Sequence, residues 1–188
     1  TFVYDLKGQV LPKSSLAENL MNKPGIPAIT SYHPRNYQGH PNNYSVIQNK
    51  EGVMYFGNLW GVIEFNGSSW RKIPLPNGSS CTSLAIDDSG TIFVGGRNEI
   101  GYLKKDSIGR NNYVSLNLLL PANIKNFDEV WKIFVTKDGI YFSSNSVLLY
   151  KDYSKERVEL IETSNNAFYE NGQVYTSDYS GIYKVFKN

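Results

Sequence analysis

The residues of this 188-residue chain with the most chemical potential sit in short polar breaks between apolar runs: Asn58-Leu-Trp60, Arg97-Asn-Glu99, Ser144-Asn-Ser146 and Asp178-Tyr-Ser180. Indole and phenol rings offer flat apolar faces, while Asn, Arg, Glu and Asp offer planar donors and acceptors. Together they suit a hydroxyl-rich ring such as a sugar, whose C–H face stacks on an aromatic ring while its hydroxyls exchange hydrogen bonds. The candidate ligand-binding residues are Trp60, Asn58, Arg97, Asn98, Glu99, Asn145, Asp178 and Tyr179. The competing structural reading has Trp60 packing between neighbouring sheets and the polar residues capping strand ends. Trp70 and Trp131 lie inside strand patterns and are expected to serve inter-sheet packing.

Other chemistries find less support. His33 and His40 are the only imidazoles, and no His-x-Glu or Glu-x-x-His pattern accompanies them, so no metal site is expected. Asp87-Asp-Ser-Gly90 lacks the alternating oxygens and later Glu of a calcium loop and reads as an Asx-type turn. The single cysteine, Cys81, excludes an internal disulfide and reads as a small residue packed at a strand start. No serine carries a Gly-x-Ser-x-Gly signature, and no cofactor is expected. Paired-carboxylate catalysis stays open, through Glu99, Glu129 and Asp178. Asn43-Tyr-Ser, Asn66-Gly-Ser and Asn77-Gly-Ser are read as turns. The 19 Lys and Arg against 17 Asp and Glu are scattered singly, which argues against nucleic-acid contact.

These breaks must be positioned by repeated strands. Aromatic residues make up 14% of the chain and only 2 Met occur, a composition that favours β structure. Four segments align, at 51–65, 89–103, 138–150 and 171–183, each reading polar-Gly turn, strand, short polar loop, strand. The turn glycines Gly52, Gly90, Gly139 and Gly172 are 38, 49 and 33 residues apart. Each is expected to supply the positive φ of a tight hairpin. A strand precedes each hairpin, at 44–48, 83–87, 130–136 and 166–169, and an outer strand follows at 70–73, 113–116 and 158–161.

Sheets of this kind bury their faces by stacking around an axis, so the expected fold is an all-β propeller of four-stranded antiparallel blades. The chain covers about four blades, near 44–76, 81–118, 128–162 and 165–188, a partial ring within a longer protein. Residues 1–40 break the repeat and are expected to be irregular and extended around their prolines, with one strand at 2–6 and one or two helical turns at 14–21. No run of eighteen or more apolar residues occurs.

Six phrases in register carry a resemblance: Gly25-Ile-Pro-x-Ile, Met54-Tyr-Phe-Gly-Asn-x-x-Gly61, Phe65-Asn-Gly-Ser-Ser-Trp70, Ile92-Phe-Val-Gly-Gly96, Glu99-Ile-Gly-Tyr102 and Phe127-Asp-Glu-Val-Trp-Lys-Ile133. Over residues 25–160 the chain resembles the propeller-type sensor domains of two-component regulators in polysaccharide-degrading Gram-negative bacteria. It departs from that family at Asn42-Asn-Tyr44, where a Gln-Asn-Trp phrase is common, and in residues 1–22, which match no part of it. The resemblance implies a periplasmic domain of a membrane-anchored receptor that signals through one membrane helix. The output would be a histidine kinase or a helix-turn-helix domain that regulates transcription.

It further implies an oligosaccharide or other extracellular ligand, pairing of two copies in the full-length receptor, and no enzymatic activity in this chain. Two alternatives stay open: a propeller lyase or glycoside hydrolase, and a protein-interaction scaffold.

Overall fold

The computed structural model describes residues 3–4, 10–11, 29–124, 126–162, 166–178 and 180–186. The chain divides into two compact units, 1–32 and 33–188. In the first, β1 (Val3–Tyr4) pairs antiparallel with β2 (Val10–Leu11), so the expected strand at 2–6 is a short one. The helical turns expected at 14–21 lie outside the described residues.

The second unit opens with α1 (Pro34–Tyr37), a single helical turn where an extended segment was expected. His33, which precedes the proline, is extended at φ −78° and ψ 153°, as a pre-proline residue should be. Proline itself fits the first helical position, where its missing N–H costs nothing.

Four antiparallel sheets follow, each a simple meander. The first holds β3 (Asn43–Gln48), β4 (Met54–Asn58), β5 (Gly61–Phe65) and β6 (Trp70–Ile73). The second holds β7 (Cys81–Ile86), β8 (Ile92–Gly96), β9 (Glu99–Lys105) and β10 (Asn111–Ser115). The third holds β11 (Val130–Val135), β12 (Gly139–Ser144), β13 (Leu148–Asp152) and β14 (Val158–Glu162). The fourth has three strands among the described residues: β15 (Ala167–Glu170), β16 (Gln173–Asp178) and β17 (Gly181–Lys184).

The turns form for the local reasons expected, with one exception. Gly52, Gly90 and Gly172 adopt φ of 81°, 87° and 78°. Gly139 is instead extended backbone inside the third sheet, where a Cβ would approach the Tyr150 ring at 2.9 Å. Asp87 closes its turn as an Asx motif, accepting from the Thr91 N–H at 2.9 Å and the Ser89 hydroxyl at 2.6 Å. Asn66 likewise accepts from the Ser68 and Ser69 N–H groups, whereas Asn43, also read as a turn, lies in β3.

Successive sheets pack through their first strands, β3 against β7 and β7 against β11. A shared irregularity makes this contact. Each of these strands carries one extra residue at its start, because Asn43 and Ser45 face the consecutive Asn58 and Gly57, Cys81 and Ser83 face Gly96 and Gly95, and Val130 and Lys132 face Ser144 and Ser143. The residues without a ladder partner are Tyr44, Thr82 and Trp131.

The residue after each bulge reaches the next sheet. Ser45 Oγ accepts from the Leu84 N–H at 3.2 Å, Ser83 Oγ donates to the Val130 carbonyl at 2.6 Å, and Lys132 Nζ donates to the Ala167 carbonyl at 3.0 Å. Close approach requires glycine at Gly95, where a Cβ would come within 2.6 Å of Val130 Cγ1.

Three buried clusters fill the inter-sheet spaces. Tyr55, Val62, Ile73, Leu84 and Val94 join the first two sheets, and Phe93, Ile100, Val130, Phe142 and Leu149 join the second and third. Tyr141, Leu148, Tyr150, Ala167 and Val174 join the third and fourth. Cys81 is buried in the first of these clusters at the start of β7, and burial pushes its thiol well above the ordinary thiol range.

Candidate ligand-binding site

The second and third strands of each sheet are joined by equivalent tight hairpins. The residues at their tips are Leu59-Trp60, Arg97-Asn98 and Asn145-Ser146, with Ser180 described from the fourth. The first two tips and the segments entering β7 and β11 border one groove of about 790 Å³. Trp60, Arg97, Asn98 and Glu99 of the candidate residues meet there, with Asn117, Asn126 and Glu129 beside them.

Each of these residues does something different. Trp60 is 51% exposed, with Lys72 Nζ 5.6 Å from its ring centroid and the His40 ring 5.4 Å away in an edge-on arrangement. Packing between sheets would bury this indole, so that reading fails for Trp60. Its backbone is set from below by Asn58, whose Oδ1 accepts from the Trp60 and His40 N–H groups, each at 3.0 Å. The Asn58 amide donates to the His40 carbonyl at 2.6 Å and to Asn43 Oδ1 at 2.7 Å. Asn58 is fully buried, so it acts as a brace for the Trp60 hairpin rather than as a contact for a ligand.

Asn98 adopts a left-handed φ of 52°, and its Oδ1 accepts from the Phe127 and Asp128 N–H groups at 2.7 and 2.9 Å. Its own N–H donates to the Asp128 carbonyl at 2.9 Å. Next to it, Arg97 forms an isolated antiparallel bridge with Glu129, and their side chains approach at 3.7 Å. This staple fastens the β8–β9 hairpin to the third sheet and leaves the Arg97 guanidinium largely exposed.

Glu99 is 4% exposed, and its carboxylate accepts from Tyr113, Ser115 and Asn117. Burial first, and then this carboxylate, push the Tyr113 phenol far above the ordinary tyrosine range. Glu99 thus stiffens the groove floor, held by three protein donors.

The remaining candidates lie apart or beyond view. Asn145 is exposed on its own hairpin and does not border the groove. Tyr179 and the side chain of Asp178 lie outside the described residues. Sequence reasoning missed Asn117, which borders the groove, and His40 and Lys72, which flank the Trp60 ring. Among the described residues no group of three or more His, Cys, Asp or Glu side chains is placed to hold a metal ion.

The two tryptophans expected to pack between sheets differ. Trp70 stacks on Phe65 of its own sheet at 4.1 Å and meets Tyr37 of α1 at 5.5 Å. Trp131, turned out of the ladder by the bulge, meets Tyr44 of the first sheet edge to face and remains 45% exposed.

No protein-family model and no curated protein sequence matches this chain. Among solved structures, it is similar to the extracellular domain assigned to the one-component system BT4673 of B. thetaiotaomicron, with 18% identity and a TM-score of 0.63 over 85% of this chain and 23% of that one. A second structure of the BT4673 extracellular domain, there assigned to a hybrid two-component system, matches at 15% identity and TM-score 0.55, over 76% of this chain and 20% of that one. The extracellular domain assigned to the hybrid two-component system BT3049 of the same organism matches at 13% identity and TM-score 0.59, over 83% and 22%. The chain therefore spans under a quarter of these domains, and what it shares with that stretch of them is the fold.

Proposed function

We propose that this chain is part of the periplasmic, ligand-sensing region of a membrane-anchored two-component or one-component regulator, and that it recognises an oligosaccharide. On this reading the four sheets are consecutive blades of a propeller. Their meander order, the side-by-side first strands and the repeated bond from one sheet to the next support that arrangement.

The observation that carries the sugar reading is the groove itself. One exposed indole stands over a polar floor whose buried groups are already hydrogen-bonded, with exposed cationic and amide groups around it. Such a floor holds its shape while the rim exchanges water for ligand hydroxyls. Glu99 is held by three donors and so serves as part of this fixed floor.

A sensor must bind one signalling state better than another, since equal affinity for both shifts nothing. The Asn98 staple spans two sheets at the groove edge, so occupancy there can favour one inter-sheet geometry.

Calorimetry with cellohexaose, xylohexaose, mannohexaose, arabinohexaose and hexagalacturonate is the test. Saturable binding of one of them, weakened roughly tenfold or more by Trp60→Ala, is expected. Heat from none of them removes the sugar reading, and release of new reducing ends or unsaturated products replaces it with an enzymatic one.

A further inference from the structure

Tyr44 and Trp131 are the extra residues of two bulged strands, in the first and third sheets, and they meet at the same end as the groove. Their rings lie 6.2 Å apart at 79°, an edge-to-face pair. They remain 41% and 45% exposed. Thr82, the extra residue of the intervening β7, is small and buried, and its hydroxyl donates to the Val130 carbonyl at 2.7 Å. A large side chain at that middle position would separate the two rings; threonine lets them touch across it.

A bulge re-aims a side chain at the expense of a ladder pair, and leaving large rings in water forgoes the stabilisation that burial would bring. Phe93, Phe127, Phe142 and Tyr141, by contrast, are buried. Neighbouring residues tie the pair to the groove. Asn43, next to Tyr44, accepts from the Asn58 that braces Trp60, and Glu129, which bridges to Arg97, stands two residues before Trp131.

We propose that Tyr44 and Trp131 form a second subsite, a corner of two aromatic walls that holds one pyranose ring of an oligosaccharide whose other units occupy the Trp60 groove. This rests on the sugar reading above and adds to it a minimum length: a chain of several units should bind better than a short one. The edge-to-face geometry leaves ring faces open for C–H stacking, and the phenol supplies a hydroxyl at the rim.

The test compares the hexasaccharides of the calorimetric panel with the matching trisaccharides. For the sugar that binds, the wild-type chain should prefer the hexasaccharide roughly tenfold or more. Trp131→Ala should abolish that preference while leaving trisaccharide affinity and the urea midpoint unchanged, and Trp131→Phe should retain most of it. A length preference that survives both Trp131→Ala and Tyr44→Ala overturns the subsite and leaves the sugar reading standing. Equal affinity of wild type for both lengths overturns it as well, and binding of no panel sugar overturns both.

Discussion

The interface between the first and second sheets and that between the second and third are built on the same repeat yet held differently. In the first, a polar network spans the gap: Asn111 Nδ2 donates to Tyr55 Oη at 2.9 Å and to Glu64 Oε2 at 2.7 Å, and Arg71 donates to the Asn111 carbonyl at 2.8 Å while pairing with Glu64 at 3.0 Å. In the second, the buried middle is apolar, with Phe93 and Phe142 edge to face at 6.4 Å. Its polar ties lie at the ends: the Asn98 staple and the Thr82 and Ser83 bonds to Val130 at one, the 3.3 Å contact of Tyr153 with Asp87 at the other.

Directional bonds across an interface specify one register, because a slipped arrangement leaves polar groups unpaired. An oily middle tolerates small rotations at less expense. The first interface is thus the keyed one, and the second is the one whose angle the groove-side staple can set.

Three experiments sharpen this contrast. The largest effect is expected from Phe142→Ala, which empties the fully buried middle of the second interface and should lower unfolding stability by about 3–5 kcal/mol in urea denaturation. Asn111→Ala removes the amide that donates to the Tyr55 hydroxyl and to Glu64 in the first, for about 1–3 kcal/mol by the same measurement. An equal loss from both substitutions would break the distinction between oil and key.

The smallest effect is a pH dependence. Burial first, and then Glu64, raise the Tyr55 phenol from 10.0 to about 12. The unfolded chain therefore releases this proton at lower pH than the folded one does. The stability contributed is fully present below about pH 10 and is lost as pH rises from 10 towards 12. Tyr55→Phe should flatten that alkaline decline, read as urea midpoints at pH 9 to 11 (roughly the window in which phenols ionise).

Much of the scaffold was legible in advance. Alternating apolar residues between Asn-Gly, Asp-Gly and Ser-Gly turns marked the hairpins, and the outer strand Trp70–Ile73 matched to the residue, while those at Asn111–Ser115 and Val158–Glu162 differ from expectation by one or two residues at an end. The bulges were not legible, because they depend on counting partners across a ladder and leave no composition behind. For that reason the half-exposed setting of Trp131 was not foreseen.

The candidate site was legible as a set of hairpin tips, but the division of labour within it was not. Asn58, Asn98 and Asn145 are one residue type at neighbouring hairpin positions. One braces a tip from below, one staples two sheets, and one is exposed. What separates them is the segment that each hairpin meets, and that segment comes from elsewhere in the chain.

The unpaired positions at 44 and 131 carry a consequence for how this fold can diversify. A residue outside the ladder, with no duty in the buried clusters, can be exchanged without disturbing strand register or the bond that its neighbour makes to the next sheet. Variation there would change the surface presented while the architecture beneath stays constant, so that surface can be remade by point substitution on an unchanged frame.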